Sequence, residues 1–451
     1  MQRPAPPLAP PSAPVRLDPR LALALIAIGA VAVVALWWQD TVFVYGFGDW
    51  LTNAGRITGL LAGYAVVVLL ALMARVPAAE RGVGTDRLAR WHAMGGRYTV
   101  CLAVAHTLLI IWGYAVTAHT DVVHQTGALI TDYPDVLMAT VAVGLLVAVG
   151  VASARAARRR LRYETWHFIH LYTYLAIALA FSHQFSTGAD FVSNLSARVL
   201  WSAMYVVVGA LLVWYRLLAP VRNLIRHDLR VARVARESAD VVSVYLTGRR
   251  LDTMRTESGQ FFRWRFLTRE LWWAANPYSL SAAPRADQLR ITVKMTGEHS
   301  AALLHLRPGT RVIAEGPSGG FTAARRRRRK VLLIGGGVGI TPIRALFETI
   351  PAAAADITVM YRIATVDDIV LRHELDAIAH ARNARVHYLV GPPKRGANDH
   401  LSLQRIRALV PDVAERDVFL CGPEPMMDAT RTSLRQAGVP PRHIHSESFV
   451  F

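Results

Sequence analysis

Cysteine is nearly absent: Cys101 and Cys421 are the only two in 451 residues. Two thiols build neither a disulfide framework nor a thiolate zinc site. Acidic residues are scarce beside basic ones, 32 Asp and Glu against 51 Lys and Arg, for a net charge of +19. Such an excess raises nucleic acid as a partner. The arginines, however, collect beside apolar stretches and in the run Arg325 to Lys330. A membrane surface explains that distribution, with Arg325 to Lys330 a solvated or headgroup-facing loop, and no nucleic-acid partner is expected. At 53% hydrophobic and 18% charged, the chain is too apolar for a purely soluble protein and too charged for a purely membrane one. Residues 1–20, with PAPPLAPPSAP, hold too much proline for a helix or a packed core and read as a cytoplasmic tail.

What is present begins with six apolar stretches: 21–38, 56–74, 92–115, 135–154, 164–184 and 198–218. Each approaches the roughly 20 residues a bilayer-spanning helix needs. The first is too long for a signal-peptide core and lacks a cleavage site, so it reads as a retained anchor. Residues 21–218 are expected to form a six-helix transmembrane domain. Arg75, Arg81, Arg87 and Arg90 crowd one loop, and Arg155, Arg158, Arg159, Arg160 and Arg162 another, whereas 116–134 has no Lys or Arg. The arginine loops, and with them both termini, are expected in the cytoplasm.

Ionisable side chains inside a span are costly and mark function. One span carries His92 and His106, fourteen apart; another carries His170 and His183, thirteen apart, with His167 just before. A single membrane histidine is often an interhelical hydrogen-bonder. Two matched pairs point instead to two bis-histidine haems of b type, because neutral imidazole is a good axial ligand. At about 1.5 Å per residue the two centres lie about 20 Å apart, one per leaflet. His92 and His170 form the inner pair, His106 and His183 the outer. Fourteen residues return to nearly one helical face; thirteen do not, so the second helix must bend, tilt or use other rotamers. His119 and His124, in the outer loop, read as solvated residues.

After Pro220 the pattern changes. Short β-like runs between about 228 and 322 predict a small antiparallel barrel. From about 330, strands and helices alternate, predicting a doubly wound parallel sheet. GGGVGITP, Gly335 to Pro342, follows a buried strand and opens a helix. Its glycines let the backbone approach a pyrophosphate at a helix N-terminus. CGPEPMM, Cys421 to Met427, ends a later strand, and NPYSLSAAP, Asn276 to Pro284, and VKMTGEHS, Val293 to Ser300, complete the set.

These motifs, in order behind two histidine-bearing spans, carry a resemblance. The soluble half resembles the ferredoxin–NADP reductase superfamily. The chain from about 21 to 451 resembles the ferric reductase and NADPH oxidase family, a six-helix dihaem domain fused to such a reductase. The resemblance implies an FAD-binding β-barrel at 222–323 and an NAD(P)-binding domain at 328–451. It implies that Tyr278 and Ser279, with Ser281, hold the isoalloxazine, and that Lys294, Gly297 and Ser300 serve the FAD diphosphate. It places Gly336, Gly337, Gly339, Thr341, Gly422 and Pro423 around the nicotinamide dinucleotide and Cys421 near the nicotinamide. Phe449, or failing it Phe451, would cover the flavin. Arg362, after the strand VMY, suits a 2′-phosphate, and no acidic residue ends that strand, which favours NADPH over NADH.

The sequence departs from that pattern at Asn276, where many members carry Arg or His. It departs again at Ile110, where oxidases tend to carry another outer histidine. Arg56 matches an arginine the family keeps near the outer haem. The expected activity is transfer of electrons from NAD(P)H through FAD and two haems to an outer acceptor: a ferric chelate, dioxygen or a redox partner. A superoxide-generating oxidase is the alternative enzyme, and a haem-binding sensor or proton pathway the alternative of another class.

Overall fold

The computed structural model describes residues 15–39, 41, 44–158, 160–161, 163–192, 194–392 and 399–448. The chain divides into two compact units, Leu17–Arg216 and the part from Leu217 onward.

The first unit is helical. Its long helices are α1 (Pro19–Gln39), α2 (Phe47–Leu72), α3 (Thr85–Thr117), α4 (Val136–Ser153), α5 (Tyr163–Thr187) and α6 (Leu195–Val213). Among the described residues five helices are long and apolar enough to cross a membrane: α1 to α4, and α6 with its continuation to His227. The sixth expected span, α5, is a 25-residue helix that is not among the five. His170, Ser182, His183 and Gln184 interrupt its apolar run. Lipid gives helices no hydrophobic reason to associate, so small residues and interhelical hydrogen bonds do the packing. Helices α2 and α3 meet at Gly48, Thr52 and Gly55 on one side and Ile110, Gly113 and Thr117 on the other. A Cβ on Gly113 would lie 2.8 Å from the Thr52 nitrogen, so the backbones touch. Tyr64 donates to the Ile26 carbonyl at 2.9 Å, joining α2 to α1. Trp201 donates to Gln184 at 2.6 Å, joining α6 to α5.

The second unit opens with two three-stranded antiparallel sheets. One has the order β1 (Arg230–Arg236), β2 (Val241–Thr247), β5 (Gln288–Lys294); the other β4 (Asn276–Ser279), β3 (Phe261–Phe266), β6 (Val312–Ser318). The predicted barrel is thus two sheets, linked by the single bridges Arg230↔Arg311 and Leu280↔Ile291. Pro317 in β6 offers no N–H and lies where the β3–β6 register shifts. Both sheets bury one core, with Trp264, Phe262, Leu246 and Ile291 at its centre.

A five-stranded parallel sheet follows, in the order β11 (Ile444–Ser448), β10 (Asp417–Gly422), β7 (Val331–Gly336), β8 (Ile357–Ile363), β9 (Arg385–Val390). Its three central strands, β10, β7 and β8, are buried on both faces, as strands covered on both sides must be. Helices α7 (Ile340–Thr349) and α8 (Arg372–Ala381) pack on one face. Helices α9 (Leu403–Leu409) and α10 (Glu424–Gln436) pack on the other. The order reverses between β7 and β10, which creates a crevice at their carboxyl ends.

The basic run 325–330 is solvated at Arg327 and Arg329 but anchored along its backbone and at Lys330. Arg329 pairs with Asp356 at 3.3 Å and Lys330 with Asp412 at 2.7 Å. The N–H groups of Arg327 and Arg328 each donate to buried Asp417 at 2.5 Å. The run straps the entry of β7 to the amino end of the sheet.

Candidate functional site

The helical unit brings the four histidines together two by two. His92 on α3 faces His170 on α5, with ring centres 5.9 Å apart. His106 on α3 faces His183 on α5 at 6.4 Å. The uneven spacing on α5 therefore does not prevent pairing. His170 also stacks on Trp166 at 5.2 Å, while His167 lies beside Phe168. A metal held by two opposed imidazole nitrogens at about 2 Å, plus about 1.1 Å from nitrogen to ring centre, puts the ring centres about 6.2 Å apart. Both pairs fit that span. Among the described residues no group of three or more His, Cys, Asp or Glu could hold a metal ion. Two protein ligands per centre suit a metal whose remaining ligands come from a macrocycle, so the residues fit haem.

Arg56 donates to Asn53 at 3.1 Å on α2. Ile110 packs on Gly55: a Cβ there would lie 2.8 Å from the Ile110 Cδ1. This side chain fills the α2–α3 seam. His119 and His124 are exposed, and Asp121 accepts from the His124 N–H at 2.9 Å to cap the helix Val122–Asp132.

In the second unit, β7 runs into Gly336 and Gly337, and β10 into Cys421 and Gly422, as neighbouring strands. Gly337 has φ +53, which a glycine adopts without strain. A Cβ on Gly339 would lie 2.4 Å from the Cys421 carbonyl oxygen, so only glycine lets α7 start this close to β10. Thr341 turns its hydroxyl inward, donating to the Val338 carbonyl at 2.9 Å. Gly336, Gly337, Arg362, Pro423 and Lys294 line a cleft of about 1000 Å³ at these strand ends. Arg362 donates to the carbonyls of Ile363 and Leu389, the latter at 3.3 Å.

Cys421 is fully buried, and burial together with Glu447 pushes its thiol well above the ordinary range. The thiol is neutral at pH 7. Glu447 is its register partner on β11 and reaches the Gly319 turn, where a Cβ would lie 3.0 Å from Oε1. Sequence reasoning missed Glu447. Its place in SESFVF beside the expected aromatic was the available signal. Phe449 and Phe451 lie outside the described residues.

Tyr278 packs on the β core, and burial pushes its hydroxyl up to about 12. Ser279 is buried beside it. Ser281 is fully enclosed: its Oγ accepts from Arg290 at 2.9 Å and from Thr292 at 2.8 Å. Its two lone pairs are therefore filled from inside the protein. Lys294 pairs with Asp240 at 3.0 Å on the cleft wall, not isolated near Gly297. Ser300 accepts from the Gly297 N–H at 3.0 Å, closing the turn of VKMTGEHS.

Comparison with known proteins agrees with both halves. Residues 58–181 match the ferric reductase like transmembrane component family. Residues 333–432 match the oxidoreductase NAD-binding domain. The reductase subunit of glycine betaine monooxygenase from Chromohalobacter salexigens is 30% identical over 241 residues, covering 50% of this chain and 64% of that protein. The ferredoxin reductase component of 3-ketosteroid-9-alpha-monooxygenase from Mycolicibacterium smegmatis is 31% identical over 238 residues, covering 49% and 65%. The chain thus spans under two thirds of each relative's length. Among solved structures, the ferredoxin reductase in carbazole 1,9a-dioxygenase aligns with TM-score 0.42 and 26% identity, over 49% of this chain and 66% of that one. The chain thus joins a ferric reductase-like transmembrane domain to an oxidoreductase NAD-binding module, matching the ferric reductase and NADPH oxidase type of fusion.

Proposed function

We propose that the chain carries electrons from cytoplasmic NAD(P)H, through FAD and two b-type haems, to an acceptor on the outer side, in the manner of a ferric reductase. The observation that carries this reading is the two facing histidine couples, each at the ring separation that axial imidazoles require. In this reading α5 completes a six-helix bundle. When bound, a flavin takes a hydride and yields electrons singly, as haem iron needs.

The chain's own contribution is binding and placement. Gly336 and Gly337 bring bare backbone to the cleft, where a pyrophosphate meets amide N–H groups. Cys421 stays protonated and gives the nicotinamide end a compact, uncharged neighbour. Tyr278 presents a ring that burial also keeps uncharged. Arg362 would have to leave two carbonyls to bind a 2′-phosphate. The arginine loops set the inner side, so His92 and His170 form the inner pair and His106 and His183 the outer. Anaerobic NADPH, added to detergent-purified FAD-loaded protein, should shift a Soret band to its reduced position, and ferric citrate should restore the oxidised one. A folded preparation with no Soret absorption would favour a histidine proton path instead.

A further inference from the structure

The outer histidines are held at their second ring nitrogen by groups that are not ligands. His106 Nδ1 lies 2.8 Å from the carbonyl oxygen of Gly55 on α2. His183 Nδ1 lies 2.9 Å from Thr187 Oγ1, one turn further along α5. The Thr187 hydroxyl itself lies 3.0 Å from the His183 carbonyl oxygen. A carbonyl has no proton to give, so His106 Nδ1 is the donor and its Nε2 the lone-pair nitrogen. With the Thr187 hydroxyl proton turned to the His183 carbonyl, the His183 ring likewise donates from Nδ1 to Thr187 Oγ1 and leaves Nε2 as the lone-pair nitrogen.

The Gly55 contact depends on a second glycine. A Cβ on Gly59 would lie 2.6 Å from His106 Nδ1 and 2.8 Å from Cε1. The imidazole occupies the volume a side chain at 59 would take. That is how the ring reaches the Gly55 carbonyl, which serves the helix ladder of α2 and also lies 2.8 Å from the Thr58 hydroxyl, whose single proton has the Ala54 carbonyl at 2.9 Å as its other acceptor. Gly63, one turn on, faces a different neighbour: a Cβ there would lie 2.9 Å from Trp201.

We propose that Gly59 and Thr187 are positioning residues for the outer pair: Gly59 opens the path from His106 to the Gly55 carbonyl, Thr187 holds His183, and together they fix the tautomer that turns Nε2 to a metal. This rests on the dihaem reading. Partners of this kind raise ligand basicity, and their loss typically costs about 10–100-fold in metal affinity.

The test uses the full-length protein in detergent, reconstituted with haem. Haem content is measured by pyridine haemochrome, the ligand field by electron paramagnetic resonance, and midpoint potentials by redox titration. Thr187→Val removes the acceptor at nearly constant shape; Thr187→Ser restores a hydroxyl. Gly59→Ala displaces His106, while Gly63→Ala crowds Trp201 as a packing control. Thr187→Val and Gly59→Ala should each weaken retention of one haem by about 10–100-fold and raise the potential of that component alone. Thr187→Ser and Gly63→Ala should leave both haems in place. Unchanged spectra and potentials in Thr187→Val would overturn the proposal, as would equal haem loss in Gly63→Ala and Gly59→Ala. If Gly59→Ala fails to accumulate, the Thr187 pair decides. Wild-type protein holding no haem would sink the dihaem reading itself, a different failure from two haems indifferent to these changes.

Discussion

Arg290 and Glu374 form a forked ion pair, Nη1–Oε1 2.5 Å and Nη2–Oε2 2.9 Å, between strand β5 and helix α8. Arg290 also grips Ser281, through Nε to Oγ at 2.9 Å and Nη2 to the carbonyl oxygen at 2.8 Å. Arg344 on α7 reaches the same carboxylate at 2.7 Å. Arg290 thereby ties the loop after Tyr278 to α8, while the Ala283 N–H and Arg285, at 3.1 Å and 2.9 Å from Glu348, tie it to α7.

Removing one partner of a buried charge pair leaves the other uncompensated. Arg290 is 5% exposed, but Glu374 is 33% exposed and water relieves part of its cost. Arg290→Leu should therefore cost about 3 kcal/mol, the low end for such pairs, read from urea unfolding of the detergent-solubilised protein. Burial raises the Glu374 carboxyl, yet Arg290 and Arg344 overcome it and hold it below the ordinary range. A depressed carboxylate gives stability that is full above its unfolded pKa and lost as pH falls through its folded one. The Arg290→Leu penalty should shrink below about pH 4. A penalty that is the same at pH 3 and pH 7 would show that the charge pair is not its source.

Each histidine pair predicts a stoichiometry. His92→Leu and His170→Leu should each lower haem from two per chain to one, with loss of the same spectral component. His106→Leu and His183→Leu should each remove the other. His167→Leu should leave both, since the ring facing His92 is that of His170. Haem lost in His167→Leu and kept in His170→Leu would reverse the assignment.

The histidine pairs were legible because a polar residue in an apolar helix has few reasons to exist, and spacing alone matched them by depth. The glycine turns were legible because strand, turn and helix follow one another locally. Arg290–Glu374 was not: 84 residues separate the partners, and nothing local in either stretch announces the other. Ser281 was assigned to the flavin by motif, and nothing in the motif announced that Arg290 and Thr292 of β5 fill both lone pairs of its hydroxyl. The barrel was legible as short strands; its split into two sheets joined by two isolated bridges rests on pairings between distant strands that no local pattern announces. The basic run was read from charge alone, and its partners Asp356, Asp412 and Asp417 come from distant elements.

The strap at the sheet's amino end should respond to pH. Asp417 Oδ1 lies 2.8 Å from His443 Nδ1 and 3.4 Å from His445 Nε2. Burial lowers the His445 pKa, more than Asp417 raises it. A histidine that is harder to protonate folded than unfolded destabilises the fold as pH drops below the unfolded value of about 6.5. Stability of the reductase half should fall between about pH 7 and pH 5. His445→Phe, which keeps a ring tilted against Phe419 with centres 4.8 Å apart, should flatten that slope. A slope as steep in the variant would place the titrating group elsewhere.

The acceptor is the remaining question, and Ile110 bears on it differently than its sequence position suggests. One turn beyond His106, it occupies the place where an oxidase carries another histidine. Its side chain is wedged against Gly55, the residue whose carbonyl holds His106. Reduction of oxygen needs donors where negative charge develops, and a residue packed in the α2–α3 seam supplies none. A soluble ferric chelate should therefore outcompete air-level oxygen for electrons under NADPH. Ile110→His should not turn the protein into an oxidase. It should bury an unpaired imidazole in the seam, at a cost of about 1–3 kcal/mol, and loosen the haem bound through His106. Ile110→Val, which keeps the seam apolar, should leave haem content unchanged. Superoxide consuming nearly all NADPH electrons in wild-type protein, with no gain from ferric citrate, would favour the oxidase. A rise in superoxide in Ile110→His at full haem content would mean that this position does face the acceptor.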